Sequence, residues 1–377
     1  MKRLVLALSS SLALGLPASA ATRLMMLPIG ALTDTSAVAS QGSATRDSPR
    51  NASDARLHNN LGADLQIKGR FDEAIVEYQK AIRLNPDSAD VHYNLGVALQ
   101  IKGRLDQAMV AFQTAIKLRP GDVDAHYNLG VSLQGSNRLD EAMASFQAVI
   151  RLEPNDINAH YNLGAAFQAK GRLDEAIAEY QTTNRLKPND AFAHSRLGTA
   201  FAAKGRWDGA MTEYQTAVTL DPNDAYAHYN LGTVLSAQNR MDEAIAEYKL
   251  ALGLDPQYVN AHNNLGLALS AKGRWSEAIT VLQAAIKLDP KDADTHSSLG
   301  VALSEKGRLN EAIAEFQKAV RIAPKDAGNH ANLGFAWYKK GRCKEAIAEC
   351  KEAIRLDRSN VTAHYNLGLA VARSTAK

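Results

Sequence analysis

Ten histidines, His58, His92, His126, His160, His194, His228, His262, His296, His330 and His364, stand 34 residues apart without exception. Imidazole is a common metal ligand and a proton carrier near neutral pH, so a regular file of ten invites a metal or proton-transfer reading. The spacing argues against it. Side chains related by translation along a stack of repeats stay about 10 Å apart, whereas the ligands of one ion lie near 2 Å from it. The histidines are therefore read as packing residues between paired helices, and as partly buried imidazoles they would loosen the array below about pH 6. No metal or other cofactor is expected. Cys343 and Cys350 lie seven residues apart, which on one helix is about 10.5 Å and too far for a disulfide. Their columns hold Leu309 and Phe316 in the preceding repeat, so they are read as small core residues, with an intermolecular disulfide as the other reading. No phosphate loop, nucleophile elbow or paired catalytic carboxylates interrupts the pattern, and no enzyme is expected.

The elements that position these residues follow from the same period. One 34-residue unit is written nine times over residues 55–360, and residues 361–377 are the first half of a tenth that can cap the last hairpin. In the first unit Leu61 and Leu65, then Phe71, Ala74, Ile75, Tyr78, Ala81 and Ile82, fall into two blocks of helical spacing. These are helix A and helix B. Between them stand Gly69, Gly103, Asn137, Gly171, Gly205, Asn239, Gly273, Gly307 and Gly341, the two residue types that accept a left-handed backbone after a helix. Helix B must stop before Pro86 and its successors up to Pro324, because proline disfavours a helical residue before it. Ser88, Asp122, Asp156, Asp190, Asp224, Asp292, Asp326 and Asn360 can cap the next helix A, and Tyr258 is the exception. Gly62, Gly96, Gly130 and their successors allow a close crossing against Ala74, Ala108, Ala142 and theirs, with Tyr78, Phe112, Phe146, Tyr180, Tyr214, Tyr248, Leu282, Phe316 and Cys350 filling the gap. One hairpin cannot bury that face alone, so neighbours must stack. Arg70, Arg104 and their successors to Arg342 form a complete column after the turn, explicable only as ion pairing with nearby acids.

These residues resemble the tetratricopeptide repeat family across the whole array: Leu95-Gly96, Ala108, Phe112, Ala115 and Pro120 match its motif in one unit. Val149 and Thr183 replace the second alanine, Arg358 replaces the last proline, and histidine stands where the family often has a large aromatic. The resemblance implies an all-α fold, a right-handed superhelical solenoid of nine repeats plus the terminal half repeat, with a concave face lined by helix A that commonly binds peptides. Two residues before each Leu-Gly glycine stand Asn60, Asn94, Asn128, Asn162, Arg196, Asn230, Asn264, Ser298, Asn332 and Asn366. Asparagine is a poor helix former and has no fold-level reason to recur there. The column resembles the asparagine ladder of the O-GlcNAc transferase superhelix, where such side chains hold substrate backbone. A carboxamide donates and accepts, so it can pair with an extended peptide of any sequence, one rung spanning roughly three residues. The candidate peptide-binding residues are Asn60, Asn94, Asn128, Asn162, Arg196, Asn230, Asn264, Asn332 and Asn366, with Tyr93, Tyr127, Tyr161, Tyr229 and Tyr365 beside them as apolar contacts. Arg196, Ser298 and the Trp337-Tyr338-Lys339-Lys340 stretch would set selectivity. The other reading of the column is a solvated stripe kept by duplication. The family's clamp for C-terminal carboxylates is absent, since its places hold Tyr93, Tyr127, Val97 and Val131.

Residues 1–20 have the three parts of a secretory signal: Lys2 and Arg3, an apolar run from Leu4 to Leu16, and Ala18-Ser19-Ala20. The run is too short for the roughly 20 residues of a spanning helix, and no cysteine follows it to carry a lipid. The mature chain is expected to be exported, periplasmic or secreted, with no integral membrane span. Residues 21–54 read as a flexible linker of Ser, Ala, Thr and Asp, in which Leu24 to Leu32 is either tether or docking segment and Asn51-Ala52-Ser53 fits a glycosylation sequon. Without the signal the chain has one more basic than acidic residue, a balance that favours neither nucleic acid nor an anionic membrane. The expected function is a scaffold binding an extended peptide on helix A, and the expected partner a protein or peptide. The alternative is a structural adaptor of an envelope export or pilus assembly acting through its convex face. A glycosyltransferase would need a catalytic domain, for which the residues after the ninth repeat leave no room.

Overall fold

The computed structural model describes residues 49–375, so the expected signal at 1–20 and the expected linker up to residue 48 lie outside the described residues. Among those described there are nineteen α-helices and no strand. The chain divides into two compact units, one ending at Pro188 and one beginning at Asn189, and in each the hairpins stack as an all-α solenoid. The first unit pairs helix A with helix B as Pro49–Ile67 with Phe71–Leu84, Ala89–Ile101 with Leu105–Leu118, Val123–Gly135 with Leu139–Leu152 and Ile157–Ala169 with Leu173–Leu186. The second pairs Ala191–Ala203 with Trp207–Leu220, Ala225–Ala237 with Met241–Leu254, Val259–Ala271 with Trp275–Leu288, Ala293–Glu305 with Leu309–Ile322 and Ala327–Lys339 with Cys343–Leu356, and closes on the lone helix Val361–Thr375.

The first helix begins at Pro49, so residues 49–54, read from sequence as linker, are helical. A proline in the first turn lacks only an N–H that would have no partner there, and neither Gly nor Pro interrupts the chain from Arg50 to Ala55. The Asn51-Ala52-Ser53 sequon therefore lies on a helix.

Each turn is built by the residues that predicted it. Gly69 has φ +74°, and Asn137 and Asn239 have φ 58° and 62°. Gly69 N–H donates to Gln66 O at 3.0 Å and Arg70 N–H to Leu65 O at 2.8 Å, the paired bonds that close a helix on a left-handed residue. The arginine after the turn is at once the N-cap position of helix B, and its guanidinium grips the carboxylate three residues on. Arg70 holds Glu73 at 2.6 and 2.5 Å, and Arg138, Arg240, Arg274 and Arg308 hold Glu141, Glu243, Glu277 and Glu311 in the same two-pronged way. That is the ion pairing with nearby acids expected of the arginine column. Asp122 caps the following helix A by accepting from Ala125 N–H at 3.0 Å, and Asp156 does so from Ala159 N–H at 2.6 Å. Tyr258 makes no such bond, and neither does Ser88, contrary to its expected capping role.

Within a hairpin the glycine of helix A meets the ring of helix B more closely than its alanine. A Cβ added at Gly96 would lie 2.6 Å from Phe112 Cε1, and one at Gly130 2.7 Å from the same atom of Phe146. Phe112, Phe146 and Tyr180 are wholly buried, as are Ala74, Ala108 and Ala142. Cys343 and Cys350 are both buried and unbridged, and burial beside Glu349 pushes the Cys350 thiol up to about 11.

Candidate functional site

The histidines do more than pack. In His92, His126, His160, His228, His262, His296 and His330, Nε2 lies 2.8–3.2 Å from the carbonyl oxygen of the proline six residues earlier. In His58, His160, His194, His228, His296 and His330, Nδ1 lies 2.6–2.7 Å from a glutamate 19 residues on, in helix B of the same hairpin. Each such imidazole ties a loop to a helix. A carbonyl and a carboxylate both only accept, so where both contacts exist the ring is held from two sides by acceptors, and the acid loosening expected from sequence finds no support in that geometry. Where the glutamate is missing, the residue 19 further on is Ala111, Ser145 or Val281. Among the described residues no three His, Cys, Asp or Glu side chains are grouped to hold a metal ion.

The asparagine column faces the neighbouring repeat. In the first unit Asn94 Nδ2 donates to Asn59 Oδ1 at 3.1 Å, Asn128 Nδ2 to Tyr93 Oη at 3.3 Å, and Asn162 Nδ2 to Tyr127 Oη at 2.9 Å. In the second unit Asn264 Nδ2 donates to Tyr229 Oη, Asn332 Nδ2 to Ser297 Oγ and Asn366 Nδ2 to the Ala331 carbonyl, each at 3.2 Å. Every one of these bonds reaches back 35 residues, from one helix A to the one before it. The column thus has the fold-level reason that sequence denied it: it stitches repeats together. Two stations break the pattern. Asn230 Nδ2 and Ser195 Oγ, the pair at the same 35-residue offset, are both buried without a partner, and Ser298 turns back onto Asp294 O at 2.8 Å while Asn263 Oδ1 is left buried and unpaired.

What remains of the ladder is its acceptor half. Asn128 spends a second amide proton on Asp124 O at 3.0 Å. The Oδ1 atoms of Asn94, Asn128, Asn162, Asn264 and Asn332 accept no hydrogen bond from the described residues. Asn60 is exposed, Asn162 is 6 % exposed, and Asn366 is 3 % exposed. The tyrosines beside them are half-buried because their rings pack on helix B: Tyr93 on Phe112, Tyr127 on Phe146, Tyr161 on Tyr180 and Tyr229 on Tyr248, with centroids 5.8–6.0 Å apart. Burial pushes the phenols of Tyr93 and Tyr127 up to about 12, so they stay neutral. Tyr365 is 66 % exposed, having no helix B to lie on. Arg196 stands over the Phe192 ring at 4.8 Å, a cation on an aromatic face. One turn beyond the asparagines, Val97, Val131 and Thr233 continue the face; sequence reasoning named the two valines only as places where a carboxylate clamp fails, because no column of one residue type marks them as contacts.

The family model of the cilia and flagella-associated protein 70 C-terminal domain matches residues 4–263, a tetratricopeptide repeat model matches residues 263–327, and a TPR repeat model matches residues 336–374. No curated protein matches the chain. Among solved structures the chain is similar to the APC/C hetero-tetramer Cut9-Hcn1, at 19 % identity over 80 % of this chain and 59 % of that one, TM-score 0.52. It is similar to a tetratricopeptide repeat protein from Parabacteroides merdae at 17 % identity over 66 % and 98 % of the two chains, TM-score 0.52. It is also similar to YrrB, a TPR protein with an unusual peptide-binding site, at 22 % identity over 49 % and 96 %, TM-score 0.43. Among the described residues no helix is long and apolar enough to cross a membrane.

Proposed function

Because this chain belongs to the tetratricopeptide repeat family, the cilia and flagella-associated protein 70 C-terminal domain model matching its longest stretch, we propose that it is a non-enzymatic scaffold holding an extended peptide along helix A. The family mediates protein–protein interaction. The observation that carries the finer reading is the row of half-buried asparagines whose amide is spent on the neighbouring repeat while the carbonyl oxygen accepts nothing from the described residues, Asn94 and Asn128 in the first unit and Asn264 and Asn332 in the second. A peptide backbone offers N–H donors whatever its sequence, and an acceptor row recognises them without reading side chains. Val97 and Val131 add apolar contact. Export to the periplasm or beyond is part of the same proposal and rests on Lys2, Arg3, the apolar run after them and Ala18-Ser19-Ala20.

A second reading, the envelope adaptor using helix B, is favoured by exposed aliphatic residues there: Val110 is 63 % exposed and Leu250 51 % exposed. The two readings separate by crosslinking. Peptides selected from a random library against the chain should crosslink to benzoylphenylalanine at Val97 and not at Gln181, which is exposed on helix B. Labelling at Gln181 alone would replace the peptide-binding reading by the adaptor.

A further inference from the structure

The near-zero net charge of this chain conceals a divide. Over residues 55–305 Asp and Glu outnumber Lys and Arg thirty to twenty-four, whereas over residues 306–375 Lys and Arg outnumber Asp and Glu thirteen to seven. The structure locates the cause at the turn between helices A and B. In earlier repeats the lysine that ends helix A is neutralised by an aspartate 30 residues before it: Lys102 by Asp72 at 2.9 Å, Lys170 by Asp140 at 3.1 Å, and Lys272 by Asp242 at 2.8 Å. At Lys306 that place holds Ser276, at Lys340 it holds Asn310, and the next residue of the acidic column is Lys344. Lys306, Lys340, Lys344 and Arg373 are exposed, and none has a carboxylate partner among the described residues.

Two of these cations, Lys340 and Arg373, are backed by aromatic rings. Lys340 and Arg342 both lie over Trp337, at 5.6 and 4.8 Å from its centroid, and Arg373 lies over Tyr338 at 5.4 Å and donates to its carbonyl at 3.1 Å. A cation resting on a ring is held in place while its outer side stays open. Arg342 over Trp337 has counterparts in Arg172 over Phe167 and Arg206 over Phe201, but Tyr338 stands in a column that otherwise holds Gln, Ala or Ser, so the second ring is particular to this end of the array.

We propose that this turn edge of the second unit binds a short acidic stretch of a protein partner, with Lys306, Lys340, Lys344 and Arg373 as the contacts to its carboxylates. The proposal rests on the protein-binding reading above and not on the asparagine row. Lys306, Lys340 and Arg373 end three successive A helices, which at about 10 Å between helices spans roughly six residues of extended chain. A long polyanion is disfavoured because the acidic excess of the preceding repeats repels it, whereas a six-residue acidic segment meets only the basic end.

The test is fluorescence anisotropy of the full chain with a fluorescein-labelled peptide carrying six consecutive glutamates, against the same peptide with glutamines. The acidic peptide should bind more tightly, its affinity should fall with salt, and Lys306→Glu, Lys340→Glu and Lys344→Glu together should weaken it roughly tenfold, the scale of three exposed charge contacts. Lys102→Glu, at a neutralised turn, should leave it unchanged. Equal binding of the two peptides, equal loss in Lys102→Glu, or full competition by single-stranded DNA of like charge would overturn the proposal. So would a salt-sensitive dimer in sedimentation velocity that the triple variant abolishes while peptide binding is unaffected. Crosslinking at Val97 together with no preference for glutamate leaves the scaffold reading standing and removes this one; absence of both removes both.

Discussion

At the scale of single residues, the asparagine column shows how one side chain can serve fold and ligand at once. Its amide proton closes a bond to the previous repeat and its oxygen is left over. A hydrogen bond between partly buried neutral groups contributes about 1 kcal/mol net, so Asn162→Ala and Tyr127→Phe, measured singly and together by urea unfolding, should couple by about that much. The same cycle on Ser195→Ala and Asn230→Ala should show coupling near zero, because neither group has a partner. Equal coupling in both cycles would mean that the 2.9 Å contact between Asn162 and Tyr127 carries no stability. The stitch was not legible in the sequence because its ends lie in different columns. Reading down a 34-residue period aligns Asn162 with Asn128, whereas its partner is Tyr127. The histidine–glutamate pairs were hidden in the same way, joined across 19 residues and absent where Ala111, Ser145 and Val281 stand.

At the scale of the element, the hairpin was nearly all legible, because its determinants are local: a left-handed Gly or Asn at the turn, a proline after helix B, and an Asp cap before the next helix A. The first helix was misjudged at its start because composition suggested a linker, and composition says little about a segment that a neighbouring helix can extend through. The glycine of helix A was assigned to the alanine of helix B, whereas the structure sets it against the ring. Gly96→Ala should therefore destabilise the chain by about 1–3 kcal/mol, the usual cost of overpacking a filled core. Gly368→Ala on the last helix, where an added Cβ meets nothing within 4 Å, should stabilise by about 0.5–1 kcal/mol through helix propensity. Urea unfolding of both variants checks this, and a loss of stability in Gly368→Ala would mean the last helix is covered in solution.

At the scale of the whole molecule, buried phenols set an alkaline limit. Burial pushes Tyr78, Tyr93 and Tyr127 up to about 12, against about 10 in an unfolded chain. A group whose folded pKa is raised contributes stability that is complete below the unfolded value and is lost as pH climbs through the folded one. The melting temperature should hold below about pH 10 and fall between pH 10 and 12, with tyrosinate absorbance rising as the chain unfolds. Phenols that titrate near pH 10 in a chain still folded by circular dichroism would contradict that burial. The charge divide also belongs to this scale. It is absent from the overall balance, appears when the two stretches are counted apart, and is explained when each turn lysine is matched with the residue 30 positions before it.

Three of the stitches join the asparagine of one repeat to the tyrosine of the repeat before, so a repeat with both residues carries one half of two different bonds. Unequal recombination that copies a Tyr-Asn repeat into the array, or deletes one, joins a new asparagine to a new tyrosine at both seams and leaves no polar group without its mate. Copy number can then drift without penalty among such repeats. Divergence at either position, as at Ser195, ends that freedom locally and fixes the order of repeats around it.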